Sequence, residues 1–220
     1  MTRIQTVACE TGEARITWVT SRRTAPRAVL ALGHGAGGGI EARDLQALAA
    51  ALPALGTTVA LVEQPWRVAG KKVAAAPKTL DAGWRGVWPA LARPGLPVIA
   101  GGRSAGARVA CRTGRELGAA AVLALAFPLH PPGRPESSRA AELTGSGLPT
   151  LVVQGGRDPF GRPAEFPVPL PAGHEISEVP DADHGFAVPK KSDTGQEEAL
   201  ELIVSAVTGW LERLRDRNPS

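Results

Sequence analysis

The chain has 220 residues, 43% of them hydrophobic and 21% charged. That length suits one compact domain, 1–220, and that composition excludes wholesale disorder. The formal net charge of +4 is scattered without a long basic run, which argues against a nucleic-acid partner, and no apolar run nears the roughly 20 residues a membrane-spanning helix needs. Cys9 and Cys111 alone make neither a disulfide framework nor a CxxC metal site.

The opening residues, Met1 to Val7, lack the apolar core and small-residue cleavage site of a secretion signal, so a cytoplasmic location is expected. Strands are expected at 14–20, 28–32, 57–62, 97–100, 120–126, 150–154 and 175–179. Several are near-continuous apolar runs, the pattern of strands buried on both faces of a parallel sheet. Amphipathic helices are expected at 42–52, 80–91, 105–117 and 197–214. In the last, Thr194 and Glu197 have capping-box spacing, and Leu200, Ile203, Val204, Val207, Leu211 and Leu214 form an apolar stripe. Strand–helix alternation predicts the α/β class: a three-layer α/β/α sandwich, its sheet mainly parallel, without a cap domain. Two loops are rich in Gly, Pro and charge, 63–77 and 127–148. Neither is long enough to be a second domain.

The central motif is Gly102-Arg103-Ser104-Ala105-Gly106, a GxSxG pattern that directly follows a buried strand and opens a helix. A nucleophile elbow requires this setting: a sharp strand-to-helix turn lifts the serine hydroxyl above the sheet, near a helix N-terminus that favours negative charge. The bland alternative is a glycine-rich turn with a capping serine. An acyl-transfer nucleophile also needs a base and a group to orient that base. Asp158 lies just beyond the strand 150–154, and His184 lies in the loop after 175–179, so Ser104, Asp158 and His184 share one edge of the sheet. Asp181 and Asp183 are rival acids, or residues that order the loop of His184. His34, His130 and His174 are rival bases. His174 stands at the wrong strand end, and His130 is kept as a substrate-loop residue.

The glycine-rich run Gly33-His-Gly-Ala-Gly-Gly-Gly39 after the strand 28–32 lets the backbone turn an amide inward. Ala36 and Ala105 are therefore the expected oxyanion-hole donors. The run matches neither the dinucleotide nor the P-loop phosphate signature. Trp66, Arg67, Lys71 and Lys72 of the first rich loop, with Arg103, are candidate contacts for a carboxylate-bearing substrate. Ion pairing within the fold is the alternative for Arg103, and Arg108 is expected to find a carboxylate or carbonyl partner.

These segments, together with Phe127-Pro-Leu-His-Pro-Pro-Gly-Arg-Pro-Glu136, Val153-Gln-Gly-Gly-Arg-Asp-Pro-Phe-Gly161 and Asp183-His-Gly-Phe186, resemble the α/β-hydrolase superfamily. The likeness is greatest to its small lidless branch, which includes dienelactone-hydrolase-like proteins and the testis-expressed and chromatin-complex hydrolase-like proteins. It runs from about residue 28 to the C-terminal helix. Dienelactone hydrolases proper carry cysteine where this chain has Ser104, so their substrate is not carried over. The resemblance implies Ser104 as nucleophile, Asp158 as acid and His184 as base. The expectation is a serine hydrolase of small esters, thioesters or amides, without metal or organic cofactor, acting on a small molecule as a monomer or homodimer. The alternative is a non-catalytic binding or scaffold protein of the same fold.

Overall fold

The computed structural model describes residues 1–217. Its strands are β1 (Thr2–Cys9), β2 (Gly12–Val19), β3 (Ala28–Gly33), β4 (Thr57–Glu63), β5 (Val98–Arg103), β6 (Ala121–Leu125), β7 (Thr150–Gly155) and β8 (His174–Val179). They form one eight-stranded sheet in the order β1-β2-β4-β3-β5-β6-β7-β8. From β4 to β8 all neighbours are parallel, while β1 and β2 form an antiparallel hairpin that joins β4 antiparallel. The helices are α1 (Arg43–Ala51), α2 (Pro65–Val68), α3 (Pro77–Ala92), α4 (Ala105–Thr113), α5 (Ala140–Thr144) and α6 (Gln196–Arg217).

The period-2 geometry of a strand divides its apolar residues between two helix layers. In β3, Val29 and Ala31 face the layer of α3 and α4, where Trp84, Val87, Leu91 and Val109 are buried. Leu30 and Leu32 face the opposite layer, built by Leu45 and Leu48 of α1 with Ile203, Val207 and Trp210 of α6. This is the three-layer α/β/α sandwich expected, and among the described residues no cap domain interrupts it. Among the described residues no helix is long and apolar enough to cross a membrane.

Four details differ from the expectation. The edge strand β1 lies outside the expected set, because its exposed side chains blur the alternation that marks a half-buried strand. The rich loops contain the short helices α2 and α5. The helix after the elbow stops at Thr113, where Gly114 opens a turn closed by the Ala119 N–H on the Gly114 carbonyl at 2.9 Å. Finally, α6 begins at Gln196, so Glu198 rather than Glu197 reaches back, accepting the Gly195 N–H at 3.3 Å. Thr194 lies outside that cap, and the deepest line of α6 is Ala199, Ile203, Val207 and Trp210.

The strand order locates a candidate ligand crevice. The chain passes from β3 to β4 on one side, then crosses back over β3 to β5 on the other. At such a reversal the loops leaving the carboxyl ends of β3 and β5 diverge, and ligands bind between them. Register seals the arrangement: Gly33, where the glycine-rich run begins, pairs with Gly102, where the elbow begins.

Candidate active site

Ser104 caps the N-terminus of α4 at φ 54°, ψ −111°, a left-handed conformation that costs a non-glycine residue energy. The backbone is pinned there by the Ser104 N–H donating to the Leu125 carbonyl (2.9 Å) and the Arg108 N–H donating to the Ser104 carbonyl (3.2 Å). The flanking glycines are required by close packing. A Cβ on Gly102 would stand 2.6 Å from the Gly33 carbonyl oxygen, and one on Gly106 would stand 2.5 Å from that same atom. Side chains there would push the glycine-rich loop away from the serine.

The three predicted groups form one hydrogen-bonded chain. The Ser104 hydroxyl lies 2.8 Å from His184 Nε2, and His184 Nδ1 donates to Asp158 Oδ2 at 2.8 Å. Asp158 is fully buried. Its Oδ1 accepts the Phe160 N–H (2.8 Å), and its Oδ2 also accepts an N–H of the Gln154 amide (2.9 Å). The Phe160 ring lies over the His184 imidazole, with centroids 4.2 Å apart. Gln154 and Phe160 were not singled out in the sequence, although a glutamine ending the apolar run Thr-Leu-Val-Val was the available signal.

Asp181 and Asp183 take other partners. Asp183 Oδ1 accepts the N–H groups of Gly185 (2.7 Å) and Ala187 (2.9 Å), and Asp181 accepts the Ser192 hydroxyl. Both order the loop that carries His184. His174 sits at the start of β8 against Ser146 and the Leu143 carbonyl.

Across the crevice, a Cβ on Gly35 would touch Ser104 Cβ at 3.4 Å, so the glycine-rich loop packs directly against the serine. His34 anchors that loop from beneath. Its Nδ1–H donates to the Gly35 carbonyl (2.8 Å), its Nε2 accepts the Gln64 N–H (3.1 Å), and burial holds its pKa below the usual histidine value. The ring is therefore a neutral structural strut. Neither the Ala36 nor the Ala105 N–H donates to a partner among the described residues.

Most of the expected substrate contacts are engaged within the fold, while Lys71 and Lys72 stay exposed. Trp66 is buried, because Pro65 starts a one-turn helix that folds the indole under the glycine-rich loop, 5.4 Å from the His34 ring. His130 is buried too, with Nδ1 on the Pro131 carbonyl and Nε2 on Glu165, both at 2.9 Å. Arg67 pairs with Glu41 at 3.3 Å, and Lys71 lines a separate cavity of about 170 Å³ with Thr11 and Gln64. Arg103 is engaged by Asp44 and by the His184 carbonyl. Arg108 finds Glu142, which also holds Arg112. Among the described residues no group of three or more His, Cys, Asp and Glu side chains could hold a metal ion.

A family model described as an alpha/beta hydrolase domain matches residues 26–212. Three solved structures share the fold. A serine hydrolase without a lid from Xanthomonas campestris is 20% identical, with TM-score 0.72, covering 100% of this chain and 96% of its own. A serine hydrolase homologue from Coxiella burnetii is 17% identical, with TM-score 0.76 and coverage of 94% and 96%. A dienelactone hydrolase from Anabaena variabilis is 18% identical, with TM-score 0.70 and coverage of 97% of each chain. No curated protein sequence matches.

Proposed function

The chain belongs to the alpha/beta hydrolase family, and from that premise we propose that it is a serine hydrolase that cleaves small esters, thioesters or amides through an acyl-enzyme. The observation that carries the proposal is the unbroken Ser104–His184–Asp158 hydrogen-bond chain at a strained elbow. A binding scaffold has no need to hold a serine at φ 54° against an imidazole.

In this reading Ser104 Oγ attacks the substrate carbonyl carbon while His184 Nε2 takes the hydroxyl proton. Asp158 stabilises the imidazolium that forms and keeps Nδ1 protonated in the resting state. The N–H groups of Ala36 and Ala105 donate to the oxyanion, and each such donor stabilises the transition state by about 3 kcal/mol. Collapse of the tetrahedral intermediate expels the leaving group, which takes the proton from Nε2. Water then gives one proton to His184 Nε2 as its oxygen bonds the acyl carbon, and collapse of this second intermediate releases the acid and Ser104 Oγ, which takes that proton back from Nε2.

The test is hydrolysis of a panel of p-nitrophenyl esters, acyl thioesters and anilides by the purified protein and by Ser104→Ala. Turnover of at least one class, reduced by roughly four orders of magnitude or more in the variant, is expected. A folded protein inert toward all three classes would contradict the proposal.

A further inference from the structure

Arg103 ends β5 one residue before the nucleophile, and its guanidinium joins three segments that build the site. Nη2 donates to the main-chain carbonyl of His184 at 2.6 Å. Nε lies 3.4 Å from Oδ2 of Asp44, a fully buried carboxylate on α1. Nη1 lies under the glycine-rich loop, where a Cβ on Gly35 would meet it at 3.4 Å.

The two polar contacts do different work. Burial raises the pKa of Asp44 and the Arg103 charge opposes that rise, so the guanidinium serves the carboxylate as a counter-ion. Yet neither Asp44 oxygen and not the Arg103 Nε has a hydrogen-bond partner among the described residues. The short directional bond goes to the residue that carries the base. His184 itself is flanked by Asp183, which caps the loop turn, and by the buried Phe186. The Arg103 bond clamps His184 between those two anchors, at its own carbonyl.

We propose that Arg103, held in place by Asp44, is a positioning residue for the general base: its bond to the His184 carbonyl fixes the reach of Nε2 to Ser104 Oγ. The assignment rests on the hydrolase reading for its catalytic meaning, but its geometric content is independent of turnover. A misplacement of about 1 Å in a reacting group costs on the order of 10²-fold in rate. A methionine at 103 removes both contacts. A lysine keeps a cation for Asp44 but cannot serve the carboxylate and the carbonyl together as a guanidinium does.

The experiment measures two things on wild type, Arg103→Met, Arg103→Lys and the distant control Arg112→Met. The first is the number of fluorophosphonate-reactive sites per folded chain and the labelling rate per site. The second is the downfield NMR resonance of the His184 Nδ1 proton bonded to Asp158. Arg103→Met should keep about one reactive site per chain, with labelling slowed roughly 10²-fold and the Nδ1 resonance broadened by exchange. Arg103→Lys should recover part of both, and it carries the test if the methionine variant does not fold. Arg112→Met should lower stability and leave both readouts unchanged. Fewer sites at a wild-type rate per site, with an unaltered resonance, would mean that Arg103 only neutralises Asp44 and would overturn the assignment. A folded wild type that never labels, but whose resonance broadens in Arg103→Met, would refute the hydrolase reading and leave the positioning role standing.

Discussion

At Ser104 the backbone holds a conformation the residue does not favour because both flanking glycines let β5 and α4 close on the Gly33 carbonyl. The same closeness makes Gly106→Ala a sharp test of packing. The new methyl would stand 2.5 Å from the Gly33 carbonyl oxygen and 2.9 Å from that of His34, so the glycine-rich loop must move. We expect stability to fall by about 1–3 kcal/mol in denaturant titration and turnover per folded molecule to fall by about 10²-fold. A variant with wild-type turnover would show that the loop position does not matter. Among the carboxylates, Asp158→Asn should keep the fold and reduce turnover by roughly 10⁴-fold, since His184 loses the acceptor that fixes its tautomer. Asp183→Asn should cost far less in the same assay, because Asp183 bonds only its own loop; the reverse ranking would contradict the acid assignment. Ser104, Asp158 and His184 were legible in the sequence because each occupies the carboxyl end of a recognisable strand, in an order that lets one edge collect them. Asp44, Gln154 and Phe160 were not, since their roles exist only through contacts that the folded sheet creates. Trp66 and His130 show the converse: aromatic and polar character in a loop says nothing of which way the loop turns the ring, and both rings are buried here.

The elements report a similar division. The buried strands were visible as apolar runs, whereas β1 was hidden by exposure and α5 by its brevity. Burial and charge fasten α5: Leu143 is fully buried in the layer of α3 and α4, Glu142 accepts from both Arg108 and Arg112 of α4, and Arg112 reaches Asp81 of α3 with two bonds of 2.9 and 2.6 Å. Breaking a buried pair costs about 3–5 kcal/mol, and the 20% exposure of the Arg112 side chain calls for a discount, to roughly 1–3 kcal/mol for Arg112→Met by denaturant titration. The loop 127–148 is tied to the next one by His130, whose pKa is raised first by the Pro131 carbonyl and then by Glu165. A pKa raised on folding means that protonated His130 stabilises the native state. That contribution is complete below the unfolded value of about 6.5 and fades as pH rises through the folded one. His130→Gln should therefore lower the Tm more at about pH 5.5 than at about pH 8.5. An equal loss at both would show that the imidazole is neutral in the fold.

For the molecule as a whole, the candidate site lies where the loops after β3 and β5 diverge, with only short elements where a cap would be inserted. We therefore expect a substrate chain to gain little from apolar burial. A lidded site gains about 0.8 kcal/mol per buried methylene, so here p-nitrophenyl esters from acetate to palmitate should show no rise in kcat/KM with length, and a preference for palmitate would contradict that expectation. Of the basic candidates, Arg67 pairs with Glu41 and Arg103 with Asp44, which leaves only the exposed Lys71 and Lys72 without an ion pair among the described residues. Matched neutral and acidic esters should accordingly react within about threefold of each other at low salt, where an unscreened basic rim would favour the acidic one. The central claim is that Ser104 is a nucleophile activated by His184, and mass spectrometry after fluorophosphonate treatment tests it most directly. The account predicts a gain of one phosphonyl group per folded chain, mapped to the peptide containing Ser104 and absent in Ser104→Ala. A folded wild-type chain that gains no mass, or gains it at another residue, would contradict it.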